Sequence, residues 1–192
     1  DDYIVSEGIG VDDIRVFTDY KDIATADSTY ITQPSSGNGW IPFYRNGKLV
    51  AELYDDHKVL GNVVLGYKAN IDVEPTFNNK NLFPRNWVIK PQNKIIGNYK
   101  LRLYVLNDEY THFILNEDSI NRMGDIGMIR YFGLNTNLEI GDNHVRNYYK
   151  YYTPTEIHFY PFQNGYFVEA ETDTLGEFYL TSTKQDQNAI PN

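Results

Sequence analysis

YKLRLYVLNDEYTHFIL, Tyr99 to Leu115, is the stretch whose pattern decides the fold. Leu101, Leu103 and Val105 alternate with Lys100, Arg102 and Tyr104, the two-residue period of a strand with one buried face. A polar step, Asn107-Asp108-Glu109, leads into a second apolar run. Near the other end, GYFVEAETDTLGEFYLTS (Gly165 to Ser182) adds two more strand-like runs around a polar turn.

Asn46-Gly47 sits between IPFYR and KLVAELY, the strongest short signal for a two-residue hairpin. Asn164-Gly165 predicts a second such turn, between EIHFYPF and YFVEAET. KVLGNVVLGYKANIDV (Lys58 to Val73) reads as a central strand with a bend or bulge at Gly61 or Gly66. Pro84 and Pro91 bracket RNWVIK, which confines that strand to an edge unless the prolines lie at its ends.

EGIGVDDIRVFTDY (Glu7 to Tyr20) predicts an opening strand, and the polar KDIATADSTYITQPSSGNG after it a linker or long loop. MIRYFGL and the tyrosine-rich YYKYYT read as strands, with the polar NTNLEIGDNHVRN between them as a loop or an irregular hairpin. EDSINRM (Glu117 to Met123) is the single stretch expected to turn helical, capped by its carboxylates and Ser119. The fold expected is an antiparallel immunoglobulin-like β-sandwich of about seven to nine strands with almost no helix. Nothing repeats at the period of about 20 to 50 residues that a solenoid or propeller needs.

Length and composition suit one large all-β domain, or one domain plus a remnant of a neighbour. Of 192 residues, 41% are hydrophobic and 15% aromatic, 17 of them Tyr and 10 Phe, enough bulky apolar surface for a core. The formal net charge of -9 disfavours a phosphate backbone, so nucleic acid is not an expected partner. The absence of Cys excludes disulfides, thiolate zinc sites and a cysteine nucleophile. No apolar run approaches the roughly eighteen residues of a membrane span, so no transmembrane segment is expected. The chain opens Asp1-Asp2 with no Met and no signal-peptide core, which suggests an excised piece of a longer protein.

Catalytic chemistry finds little to stand on. His57, His112, His144 and His158 are scattered singly, with no HExxH, no GxSxG elbow and no GxGxxG or P-loop cradle. The acidic pairs Asp12-Asp13, Asp55-Asp56 and Asp108-Glu109 place neighbours on opposite faces of a strand, where they do not converge. No catalytic residue, cofactor or metal ligand is therefore assigned. Asp12, Asp13, Asp142 and Asn143 are hard oxygen donors for a structural calcium, but no DxDxDG loop contains them, and solvated or capping carboxylates is the simpler reading. Trp40 and the tyrosines Tyr148, Tyr149, Tyr151 and Tyr152 are the candidates for a ligand platform, since sugar rings stack on aromatic faces. Alternation in YYKYYT predicts instead that one set of tyrosines is buried, and Trp87 reads as a core or edge anchor.

YKLRLYVLNDEYTHFI, MIRYFG and EIHFYPFQNGYFVEAETDTLGEFYLTS, over residues 38 to 183, resemble a β-sandwich module of large cell-surface proteins in Bacteroidetes. In such proteins the module stands before a C-terminal sorting domain read by the type IX secretion system, and its last strand ends EFYL or EFWL, here Glu177-Phe178-Tyr179-Leu180. EGIGVDDIRVF similarly resembles the closing strand of a MAM-like or concanavalin-A-like jelly roll. The resemblance implies a division into residues 1–25 (end of a preceding domain plus linker), 26–183 (the sandwich) and 184–192 (a linker toward a sorting domain). It implies a secreted or cell-surface location, with neighbouring domains and the type IX machinery as partners. No catalytic residue comes with it. The expected function is a non-catalytic structural or adhesive module, with Glu109 and Glu177 in fold-specific hydrogen bonds or surface pairs. The alternative is a carbohydrate-binding accessory domain of a secreted hydrolase, with glycans as partners.

Overall fold

Asn46 and Gly47 have φ of 51° and 75°, the left-handed pair that lets a two-residue turn follow the strand twist. This hairpin belongs to a computed structural model that describes residues 22–25, 27–70, 76–77, 80–117, 120–143 and 148–182. The strands are β1 (Asp27–Ser35), β2 (Trp40–Arg45), β3 (Lys48–Tyr54), β4 (Gly61–Ala69), β5 (Thr76–Phe77), β6 (Lys80–Pro91), β7 (Tyr99–Leu106), β8 (Ile126–Tyr131), β9 (Tyr149–Tyr152), β10 (Ile157–Phe162), β11 (Gly165–Thr172) and β12 (Glu177–Ser182). The one α-helix among the described residues, α1 (Asn107–Asn116), follows β7.

Two antiparallel sheets pack face to face as an all-β sandwich, the class predicted from the alternating runs. The larger has the order β1-β4-β6-β12-β8-β9 with β5 attached to β6, and the smaller β10-β11-β7-β3-β2. The inward residues predicted for β7 are buried: Leu101, Leu103 and Val105 join Phe43, Val63, Leu65, Trp87, Val168 and Phe178 in the core between the sheets. The outer faces are partly covered too. Tyr104, on the solvent side of β7 by alternation, is buried against Ile23 and Leu49. Ile23 forms a parallel bridge to Leu49, so packing of the sandwich begins at the first described residues.

Four local expectations are corrected. The helix is not at Glu117 to Met123 but at Asn107–Asn116, the second apolar run of the opening stretch. Tyr110, Phe113 and Ile114 have helical spacing and pack against the core, and the Glu109 carboxylate accepts from the Leu106 amide at 2.9 Å, closing the first turn. Of the predicted stretch, residues 118–119 are not described, and Met123–Asp125 is a single 3-10 turn. The linker expected before Trp40 contains the nine-residue edge strand β1, in which Thr29, Ile31 and Gln33 alternate with exposed Ser28, Tyr30, Thr32 and Pro34. Pro34 fits there because, among the described residues, β1 has a neighbour on one side alone.

Of the two forms expected for RNWVIK, the edge strand is excluded. The segment is the core of β6, flanked by β4 and β12. Pro91 ends the strand, and Pro84 falls in a bulge where Thr181 pairs with Leu82 and Tyr179 with Asn86, so the missing amide breaks no regular ladder. The second hairpin turn lies one residue earlier than expected: Phe162 pairs with Gly165, leaving Gln163 (φ 52°) and Asn164 at the turn. Gly165 instead begins β11, where a Cβ would collide with the Val105 carbonyl and Ile23. The opening strand at Glu7 to Tyr20, Asp12 and Asp13, His144, and the tail from residue 183 lie outside the described residues.

Candidate functional site

β6 and β7 run in opposite directions, so the end of β6 and the start of β7 lie at the same end of the sandwich. α1, following β7, closes the other end. At the open end the β6–β7, β8–β9 and β11–β12 connections surround a cavity of about 690 Å³. Its wall is mainly apolar, from Ile89, Ile95, Tyr99, Phe132 and Leu175, a size and lining typical of ligand sites.

Three hydrogen-bond systems shape this end. Arg130 on β8 is buried, and its guanidinium donates to Thr172 Oγ1 at 2.5 Å, to the Thr174 carbonyl at 3.3 Å and to Asp173. It also lies 4.7 Å over the Phe132 ring. This contact with Arg130 holds the Asp173 carboxyl below the usual range. Tyr99 donates its hydroxyl to the Ile95 carbonyl, and Lys58 donates to the Asn98 carbonyl at 2.9 Å, fixing the β6–β7 loop.

The rim carries the unusual feature. Ile96 is 92% exposed and Leu134 97% exposed, on two different loops lining the same cavity. Burying such side chains is worth about 1.5–3 kcal/mol each, so both leave that free energy uncollected in the isolated chain. Lys90 and Lys94 line the cavity as well, and among the described residues no carboxylate forms an ion pair with either.

The residues singled out from sequence are placed elsewhere. Trp40 stands on the outer face of the smaller sheet, its ring 4.0 Å under the Arg102 guanidinium and 5.4 Å from the Tyr54 ring. Arg102 is also clamped by Glu169 at 2.8 Å and Glu52 at 3.5 Å. Trp40 and Tyr44 line a second cleft, about 440 Å³, with Gln33, Ser36 and Asn38.

The tyrosine cluster lies on the other sheet and is divided between faces. Tyr152 is buried in the core and shares a hydrogen bond with Thr172 Oγ1 at 2.9 Å. Tyr149 and Tyr151 pack on the outer face, where Tyr149 stacks on Phe77 and donates to the Asn143 carbonyl at 2.8 Å. Tyr151 donates to the Ser182 carbonyl at 3.2 Å, and burial pushes its hydroxyl up to about 12. Tyr148 meets Phe132 edge-on. Trp40 and the tyrosines are therefore not brought together.

Asp142 accepts from Asn135 at 2.6 Å and Asn137 at 2.7 Å, while Asn143 donates to Glu177 at 2.8 Å, so both fasten the loop after β8. Among the described residues no group of three or more His, Asp or Glu is placed to hold a metal ion. His57 lies in a tight turn, His112 on α1 and His158 on β10, at separate places. Among the described residues no helix is long and apolar enough to cross a membrane.

The cavity residues escaped sequence reasoning, although a signal was present. Ile95-Ile96 in NKIIGN and Leu134 in FGLNTN are large aliphatic residues inside otherwise turn-forming segments. The buried arginines were equally visible by parity: Arg85 shares its strand face with Phe83 and Trp87, and Arg130 with Met128.

Fold and site together define an all-β sandwich with an open, apolar-rimmed loop end. No family model, curated protein or solved structure matches the chain.

Proposed function

We propose that the chain is a non-catalytic adhesive module of a secreted or cell-surface bacterial protein, exported as type IX secretion cargo beside further domains of its own chain. The observation that carries this reading is the pair of solvent-exposed aliphatic tips, Ile96 and Leu134, on the rim of the open-end cavity. Exposed apolar surface around a cavity is the mark of a surface that meets a partner. The buried ionisable groups support a non-catalytic role, because their contacts are structural. Arg85 pairs with Glu109, Arg130 holds the β11–β12 turn, Glu177 holds the loop after β8, and Asp55 accepts from Ser35 and from the Gly37 and Gly39 amides. The address rests on the resemblance of the strand sequences to surface modules.

Beads coated with the 192-residue chain should attach to bacterial cells, and the Ile96→Ser/Leu134→Ser variant should attach far less. Attachment no better than bare beads would overturn the adhesive reading. Turnover of peptide, ester or glycoside substrates that co-purifies with the chain would overturn the non-catalytic one.

The second reading, a carbohydrate-binding accessory domain, is favoured by the cleft that combines Trp40 and Tyr44 with the side chains of Gln33, Ser36 and Asn38. Aromatic faces beside amides and hydroxyls suit a sugar's apolar face and its hydroxyl rim. A glycan array discriminates: binding lost on Trp40→Ala supports it, and an array with no bound glycan removes it.

A further inference from the structure

We propose that the open end of the sandwich docks on a lipid surface bearing anionic headgroups, with Ile96 and Leu134 entering the acyl boundary and Lys90 and Lys94 meeting the headgroups. This rests on the adhesive reading and names the surface to which the module adheres.

Three observations converge on that occupant. The first is chemical type. Protein–protein hot spots favour Trp, Tyr and Arg, whereas the residues protruding here are purely aliphatic. Aliphatic side chains with lysines beside them match the depth profile of a bilayer interface, apolar below and cationic at the headgroup level.

The second is geometry. Ile96 and Leu134 sit on separate loops at the rim of the cavity and are almost wholly in water. A lipid leaflet laid across this end covers both tips together. The loops are also braced. Lys58 holds the Asn98 carbonyl, Tyr99 holds the Ile95 carbonyl, and Arg130 lies against Phe132 two residues before Leu134, so the tips are presented without further ordering.

The third is charge. The chain has a net charge of -9, yet the cavity wall carries two lysines that no described carboxylate pairs with. The one carboxylate among the described lining residues, Asp173, is neutralised by Arg130. The open end is thus a local cationic site on an acidic molecule, and each lysine near an anionic leaflet adds attraction that salt weakens.

The test is co-sedimentation of the full 192-residue chain with phosphatidylcholine vesicles, with and without phosphatidylglycerol. Binding is expected to the anionic vesicles and to fall as salt rises. Ile96→Ser/Leu134→Ser should abolish it, and Lys90→Gln/Lys94→Gln should weaken it roughly tenfold or more and flatten its salt dependence. All four side chains are at the surface or rim, and an unchanged thermal melt for each variant confirms that folding is not what was lost.

Sedimentation independent of phosphatidylglycerol, or unaffected by both variants, overturns the proposal. So does binding of a monomeric fatty acid in the cavity without vesicle binding. If vesicles are not bound while beads still attach to cells through Ile96 and Leu134, the lipid inference falls and the adhesive reading stands. If neither occurs, both fall.

Discussion

Arg85 and Glu109 meet inside the fold, guanidinium to carboxylate at 2.8 Å, with both side chains almost completely removed from water. Arg85 lies in the β6 bulge and Glu109 in the first turn of α1, so one ion pair locks the helix onto the end of the larger sheet. Arg85 also donates to the Ala24 carbonyl at 2.5 Å, and Glu109 also accepts from the Leu106 amide at 2.9 Å. Strand, helix and the segment before β1 are thereby joined through two side chains.

Removing one partner leaves a buried charge with no counterpart. Glu109→Ala is expected to destabilise the fold by about 3–5 kcal/mol in denaturant unfolding. Replacing the pair together, Arg85→Met with Glu109→Leu, should cost clearly less than Glu109→Ala alone, because no charge is stranded. Additive losses in that double-mutant cycle would show that the two side chains act independently.

How much of this was legible follows from what each signal depends on. Period-two alternation is local, so the strands of the opening stretch and the Asn46-Gly47 turn could be read directly. The helix at Asn107–Asn116 could not, because NDEYTHFIL is too short for its period to stand out, and its stability comes from Phe113 packing on Phe83 and Glu109 reaching Arg85. The same holds for β6: Pro84 argued against an interior strand until the bulge opposite Leu180 was seen to absorb it. Trp40 and the tyrosines drew attention as residue types, but whether aromatic rings share a face depends on sheet order, which composition does not contain. The cavity needs three connections distant in sequence, so its two exposed aliphatic tips became meaningful when the topology placed them together.

Glu177 is the second buried carboxylate with a structural task. It accepts from the Asn137 and Leu138 amides, Asn143 Nδ2 and the Tyr179 hydroxyl, pinning the loop after β8 to the outer face of the larger sheet. Burial pushes its carboxyl above the ordinary value, against the four donors, which pull it down. As pH rises the free chain therefore loses this proton first, so the contribution of Glu177 is largest below the unfolded value and declines as pH passes through the raised folded one. NMR titration should place Glu177 above exposed glutamates. Glu177→Gln should remove this pH dependence and cost about 1–3 kcal/mol, since an amide cannot accept at both of its terminal atoms. A Glu177 resonance titrating below the exposed ones would reverse the assigned sign.

At Gly165 the limit is space. Val105 O and Ile23 Cδ1 occupy the position a Cβ would take where β11 passes β7. Gly165→Ala should lower stability by about 1–3 kcal/mol, the usual cost of overpacking. A melt unchanged by that substitution would mean the strands separate there without penalty.

Asp173 gives the opposite pH response from Glu177. Arg130 donates to its carboxylate and favours its ionised form, so the stabilisation from this contact is fully present above the ordinary aspartate value and is lost as pH falls through the lowered folded one. The Asp173 side chain is 58% exposed, and solvent screening keeps the effect on global stability small. Its local consequence is larger, because the same guanidinium supports Phe132 and the wall of the open cavity. Asp173→Asn should therefore leave the melting temperature nearly unchanged at neutral pH while raising amide exchange in the β11–β12 turn. In the parent chain that protection should fall on acidification, and in Asp173→Asn it should be insensitive to pH over the same window once intrinsic exchange is divided out. Equal acid sensitivity in both proteins would assign the response to another carboxylate and remove Asp173 from the support of the cavity wall.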